Sequence, residues 1–347
     1  MNFKERADVF LDNYHKENDF FGIIRVTHKG KKVYEKMMGY ANAETGEKIE
    51  HDSIFTLYSM SKPLCVIGLL KLYDKGIVDI DRHPGTYVEE AMGFDDSLTI
   101  RHMLHHISGL PDFAQVPGFK EKYAPGVPDK IREHLKILKN YPMNFAPGTD
   151  TMYANINMIL CALICENVSG MEYPIYMKKE VFEPLGMKSA FVDNGEYCEK
   201  RVSGHMKTDE KIVCSEPDRN WMMGAGDIAA TIDDIYCLNI AIKERLLLKN
   251  ETWDMILTAT PINGYFGMGC MVGDDYCKNK KKITHNGGSI GFRTMHVQLP
   301  EDDFDVIVLS NCDWVDGRHF IVNNLHDMYY DEENINVSQP ELDKGYI

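Results

Sequence analysis

The segment Tyr58-Ser59-Met60-Ser61-Lys62-Pro63 sets a serine hydroxyl three residues before a lysine amine. The run after it, Leu64 to Tyr73, is apolar nearly all round and Gly76 offers a stop, so the pattern predicts a buried helix beginning near Ser59. Residues three apart on a helix share a face, which brings the Ser59 hydroxyl within reach of the Lys62 amine. Apolar surroundings disfavour the ammonium form, depress the lysine pKa and free the amine to take a proton from the alcohol. Pro63 suits such a helix, because in the first turn its missing N–H has no partner to lose. The competing reading is a capped helix with an exposed lysine, since Ser-x-x-Lys combines two common residue types.

Two further places carry reactive groups. Met152-Tyr153-Ala154-Asn155 lies between the Pro147-Gly148 turn and a helix running through Ile159 and Ile164. A tyrosine at such a junction can aim its hydroxyl into a cleft, and a nearby ammonium favours its phenolate, which makes Tyr153 a candidate general base or proton relay. Ordinary packing with a polar tip is the alternative. His285-Asn286-Gly287-Gly288 ends a predicted strand approached through the basic run Lys280-Lys281-Lys282. Adjacent glycines let the backbone come close to a ligand and present bare N–H donors of the kind an oxyanion needs. A tight turn with a satisfied histidine would give the same pattern.

The elements that must position these groups are legible in outline. An amphipathic segment, Phe3 to Tyr14, precedes two strand-like runs, Phe20 to Thr27 and Lys32 to Tyr40, joined by His28-Lys29-Gly30-Lys31. From about Pro84 to Asp218 the pattern is helical, broken by Pro/Gly loops. Strand-like runs return at Gly264 to Gly273, Lys282 to Asn286, Thr294 to Leu299 and Asp305 to Ser310, with a turn at Gly273-Asp274-Asp275 and a closing helix over Gly317 to Tyr330. The expected fold is α+β: an antiparallel sheet flanked by helices and built from residues 1–80 and 225–335, an all-helical lobe over 81–224, and a loosely held tail over 336–347.

A chain of 347 residues, 44% of them hydrophobic, can bury a sizeable core. No apolar run reaches bilayer length, and the charged N-terminus lacks the apolar stretch of a signal peptide, so a cytoplasmic location is expected. Nine cysteines at irregular spacing read as reduced thiols, with Cys65, Cys161 and Cys165 in the core. A formal net charge of -15 argues against nucleic acid or anionic lipid as a partner, and its plainer meaning is solubility.

Ser59-Met60-Ser61-Lys62, Tyr153-Ala154-Asn155 and His285-Asn286-Gly287 resemble, in order and approximate spacing, the three motifs of the serine β-lactamase and penicillin-binding protein superfamily. The chain is most similar to the class C branch, which also holds esterases and D-amino-acid peptidases. Connecting segments are similar too: Thr99 to Pro111, Phe145-Ala146-Pro147-Gly148-Thr149, Pro184-Leu185-Gly186-Met187 and Gly224-Ala225-Gly226-Asp227, within a resemblance that runs from about residue 20 to 330. It implies a β-lactamase/transpeptidase-like fold and a covalent acyl-enzyme, with no metal or organic cofactor. Ser59 would attack a carbonyl, Lys62 and Tyr153 would share the proton transfers, and the N–H groups of Ser59 and Gly288 would hold the oxyanion. Asn155 would hydrogen-bond the substrate amide or Lys62. The chain departs from the class C lactamases at His285, where they carry lysine. A largely neutral histidine leaves an anionic β-lactam without its counter-charge, so an ester, amide or small peptide is the expected substrate.

Other readings compete. A binding or scaffolding module could keep this fold without turnover. Gly287-Gly288-Ser289-Ile290-Gly291 spells a nucleophile elbow, which needs a strand, a sharp turn and a helix, yet the residues after it read as a strand. His102, His105 and His106 stand at helical spacing, though no His-Glu-x-x-His accompanies them. Gly224-Ala225-Gly226-Asp227 superficially fits a dinucleotide fingerprint and reads instead as a helix start, with Asp227 near the positive end of the dipole. Substrate choice would rest on loops such as Asp112 to Pro128.

Overall fold

Lys29 (φ 50°) and Gly30 (φ 70°) are both left-handed, the backbone that a two-residue hairpin turn between twisted strands demands. They join β1 (Gly22–His28) to β2 (Lys31–Met38). The computed structural model describes residues 1–116, 130–194, 198–209, 211–215, 222–274 and 281–330. In it the hairpin ends a six-stranded sheet with β3 (Met271–Asp274), β4 (Lys281–Ser289), β5 (Phe292–Leu299) and β6 (Phe304–Ser310), in the order β3-β4-β5-β6-β1-β2. Every pairing is antiparallel, and Ile24 opposite Val308 joins the two ends of the chain in one sheet.

Alternation along β5 assigns the two faces of the sheet. Met295, Val297 and Leu299 point toward α5 (Arg318–Tyr329), where Val322 and His326 line the same small cavity. That helix packs beside α1 (Phe3–Asn18), whose start is fixed by a reciprocal Asn2–Glu5 capping box. The alternate residues Thr294, His296 and Gln298 reach the other layer: Thr294 Oγ1 donates to Leu57 O, and Gln298 Nε2 donates to Asn239 O on α4 (Ile232–Glu244). Two helices of that layer, α2 (Lys62–Asp74) and α3 (Asn155–Ser169), are buried on nearly every side, as their unbroken apolar runs require. They touch where Cys65 Sγ lies 3.6 Å from Met158 O. Cys65, Cys161 and Cys165 are buried free thiols.

The stretch between α2 and α4 is mainly helical, with short strands as well. Phe191–Val192 pairs with Ile228–Ala230, which also pairs with Phe55–Thr56, and Gly204–Lys207 pairs with Ile212–Ser215. Strands of two to four residues are too short to leave a readable alternation. The strand expected over Gly264 to Gly273 forms only from Met271, because Gly264 (φ 71°) and Gly269 (φ 68°) turn the chain before it. Strand geometry continues through Asp274 where a turn was expected; Asp275, Lys280 and the tail from Asp331 lie outside the described residues. Among the described residues no helix is long and apolar enough to cross a membrane.

Candidate active site

The chain enters the site from the short strand Phe55–Thr56 and turns at Tyr58, whose φ of 48° is left-handed and strained for a bulky residue. The Tyr58 hydroxyl donates to Ile290 O (3.3 Å), which ties this turn to the β4–β5 hairpin. A 3-10 turn, Tyr58–Ser61, then runs into α2, so the α-helix proper starts at Lys62 rather than near Ser59. The three-residue spacing still stacks the two side chains, because residues i and i+3 eclipse in a 3-10 turn. Pro63 occupies the first helical turn.

Lys62 is fully buried, and its Nζ lies 3.0 Å from Ser59 Oγ, 2.9 Å from Asn155 Oδ1 and 2.6 Å from Ala225 O. Burial pulls its pKa down to about 7, against the opposing pull of the Asp112, Cys65 and Asp227 side chains. A neutral amine has two N–H donors and one lone pair. As an ammonium Lys62 donates to all three oxygens; once neutral it keeps the bonds to the carbonyl oxygens of Ala225 and Asn155, and its lone pair then faces the Ser59 hydroxyl. Tyr153 completes the set by donating its hydroxyl to Ser59 Oγ at 2.7 Å. Burial pushes the Tyr153 phenol upward, and its bond to Ser59 only partly opposes that rise. Desolvation therefore favours the neutral phenol, the form in which Tyr153 can relay a proton by donating it.

Asn155 opens α3, and its side chain goes to Lys62. The helix lacks a capping side chain of its own, and the buried Asp112 carboxylate stands in, with Oδ2 accepting from Asn155 N (2.6 Å) and Oδ1 from Phe113 N (2.7 Å). Burial raises the Asp112 pKa, while those amides and Lys62 hold it back. His106 lies beneath the tyrosine, its ring stacked on Tyr153 with centroids 4.6 Å apart.

Gly287 sits where β4 comes closest to the turn that carries Ser59. A Cβ there would lie 1.9 Å from Leu57 O, so only glycine fits. Gly288 next to it is exposed. Pairing of β3 with β4 ends at Thr284, and from His285 to Ser289 the described partner of β4 is β5 alone. His285 itself is buried, its Nδ1–H donating to Asn286 O (2.7 Å), and burial, reinforced by Lys62, lowers its pKa to about 3. It is a neutral wall of the site.

Three competing readings meet the geometry. Ser289 pairs with Phe292 across a tight turn into another strand, so the elbow's helix is missing. His102 closes a capping box with Thr99, His105 lies 3.5 Å from Phe266 O, and His106 stacks on Tyr153, so the three rings serve different places. Gly224 to Asp227 forms a turn followed by the strand Ile228–Ala230, and the helix expected there begins only at Ile232. One local and one distant bond set this: Asp227 Oδ1 accepts from Gly224 N (3.0 Å), and Ser61 Oγ accepts from Ile228 N (3.0 Å). Ala225 O, Asp112 and the stacking role of His106 were not foreseen. A carbonyl oxygen has no residue signature, and the contacts that bring Asp112 to Asn155 and His106 to Asn157 span more than 40 positions.

The β-lactamase family model matches residues 9–319. Penicillin-binding protein 4* of Bacillus subtilis (strain 168) is 25% identical over 335 residues, covering 90% of this chain and 72% of that protein. Esterase EstB of Burkholderia gladioli is 28% identical over 197 residues, 53% of this chain and 50% of the esterase. The structure of the D-amino acid amidase from Ochrobactrum anthropi SV3, complexed with D-phenylalanine, superposes with a TM-score of 0.74 at 21% identity, covering 94% of this chain and 98% of that one. Because the match runs from α1 into α5 and takes in Ser59, Lys62, Tyr153 and Gly287, this chain belongs to the β-lactamase family, within the serine β-lactamase and penicillin-binding protein superfamily.

Proposed function

We propose that the protein is a serine hydrolase that forms an acyl-enzyme on Ser59 from an ester, amide or small peptide. One observation carries this reading: a single hydroxyl, Ser59 Oγ, lies within hydrogen-bond distance of both a buried amine with pKa about 7 and a phenol. Neutral Lys62 accepts the Ser59 proton as Oγ bonds to the substrate carbonyl carbon. The N–H groups of Ser59 and Gly288 receive the developing oxyanion on the open part of β4. As the bond to the leaving group breaks, Tyr153 supplies a proton to it, and the Lys62 ammonium restores that proton through the site. Water then reverses these roles, releasing the acid and free Ser59.

Neutral substrates suit the site. His285 is uncharged at any physiological pH, so it brings no positive charge to meet the carboxylate of a β-lactam, and the guanidinium groups at this end of β4 are turned to backbone carbonyls, Arg293 to Ser289 O (2.8 Å) and Arg318 to Gly287 O (2.6 Å). An esterase and an amidase among the similar proteins support the same preference. Purified protein offered p-nitrophenyl esters, D-aminoacyl amides and nitrocefin is expected to turn over the first two more efficiently than the third. Ser59→Ala abolishes turnover and Ser289→Ala preserves it; the opposite pattern would refute the assignment.

A further inference from the structure

His106 is fully buried with φ 56°, a backbone that a non-glycine residue adopts at a cost and keeps only where its surroundings hold it there. What holds it is the segment that carries Tyr153. The His106 carbonyl accepts from Met152 N (3.0 Å) and from Thr151 Oγ1 (3.2 Å). Its Nδ1 faces two donors, Ala154 N at 3.3 Å and Asn157 Nδ2 at 3.1 Å, and Ser108 Oγ fixes that amide by donating to Asn157 Oδ1 at 2.7 Å. One residue thus grips the chain before and after Tyr153, and its ring lies on the tyrosine at an interplanar angle of 25°. Phe266 closes the other side of the cluster, 5.1 Å from His106 and 6.1 Å from Tyr153.

Because Nδ1 accepts, the ring proton is on Nε2, and burial beside Lys62 holds the imidazole neutral far below its ordinary titration range. His106 therefore neither donates nor takes a proton during turnover.

We infer that His106 is a positioning residue that acts on catalysis only through Tyr153, fixing the phenol's aim at Ser59 and at the leaving group. The inference rests on the acyl-transfer reading above. A group that acts through another shows no effect once that other is gone.

The test is a double-mutant cycle of His106→Asn with Tyr153→Phe, read on a simple alkyl ester and on its p-nitrophenyl counterpart. Asparagine tolerates the left-handed backbone and offers Oδ1 in place of Nδ1, so it removes chiefly the ring. His106→Asn should lower kcat on the alkyl ester by about 10- to 100-fold, with KM nearly unchanged, since misaim by about an ångström costs that much. The loss should be smaller on the p-nitrophenyl ester, whose leaving group needs no proton, and the acid limb of the pH profile should stay in place. The double variant should match Tyr153→Phe alone. Additive losses, or a loss equal on both esters with a raised KM, would overturn the inference. If His106→Asn does not unfold cooperatively, Asn157→Ala takes its place in the cycle, with the same pattern and smaller losses expected. Residual hydrolysis by Ser59→Ala would instead overturn the underlying acyl-transfer reading, whereas an inactive Ser59→Ala with additive losses overturns only the role of His106.

Discussion

Replacing Lys62 by methionine should leave an inactive protein whose stability responds to pH differently from that of the wild type. Lys62 titrates at 10.5 in an unfolded chain and at about 7 in the folded one, so between these values the unfolded state binds more protons. The contribution of Lys62 to stability therefore rises with pH across that window, and its burial cost is fully felt only below pH 7. At about 1.36 kcal/mol per pKa unit, the cost is on the order of 4 kcal/mol at pH 7 and about 2 kcal/mol at pH 9. Methionine fills a similar volume and carries no such cost, though it leaves Ala225 O and Asn155 Oδ1 unpaired, at roughly 1–3 kcal/mol each. That loss does not depend on pH. Urea unfolding of both proteins at pH 7 and pH 9 isolates the titration, and the wild type should gain about 2 kcal/mol on the variant between the two. A difference that stays constant would mean that Lys62 keeps an ordinary pKa and cannot serve as the base.

The same titration sets the rate profile. kcat/KM should rise with pH through an acid limb near 7, as Lys62 loses its proton. Asp112→Asn removes a carboxylate that favours the ammonium, so its limb should move to lower pH in the same assay; a shift to higher pH would contradict the electrostatic assignment. Gly287→Ala drives a methyl into Leu57 O and should destabilise the fold by about 1–3 kcal/mol in urea while slowing fluorophosphonate labelling of Ser59. An alanine variant with wild-type stability and labelling would show that the strand does not press on the Ser59 turn as described.

What could be read in advance was the part of the design that residue types reveal. The β1–β2 hairpin follows from two strand runs around Lys29-Gly30, and the antiparallel sheet built from both ends of the chain follows from the runs near residues 20–40 and 282–310. Ser59, Lys62, Tyr153 and Asn155 were legible because a reactive group must be a particular side chain. Their environment was not. The protonation of Tyr153 depends on how deeply it is buried, and the direction of the Lys62 lone pair depends on the carbonyl of Ala225, which any residue could have supplied. Asp112 caps a helix 43 residues away, a contact that exists only once the chain has folded. The turn at Gly224 to Asp227 was misread because an aspartate beside glycine serves a helix start and a closed loop equally well, and only the bond back to Gly224 separates them.

Trapping the intermediate tests the account most directly. Protein mixed with excess p-nitrophenyl acetate and quenched in acid within the burst should gain about one acetyl mass, and peptide mapping should place it on Ser59. An acetyl group on Ser289, or full turnover with no covalent adduct at any time, would contradict it.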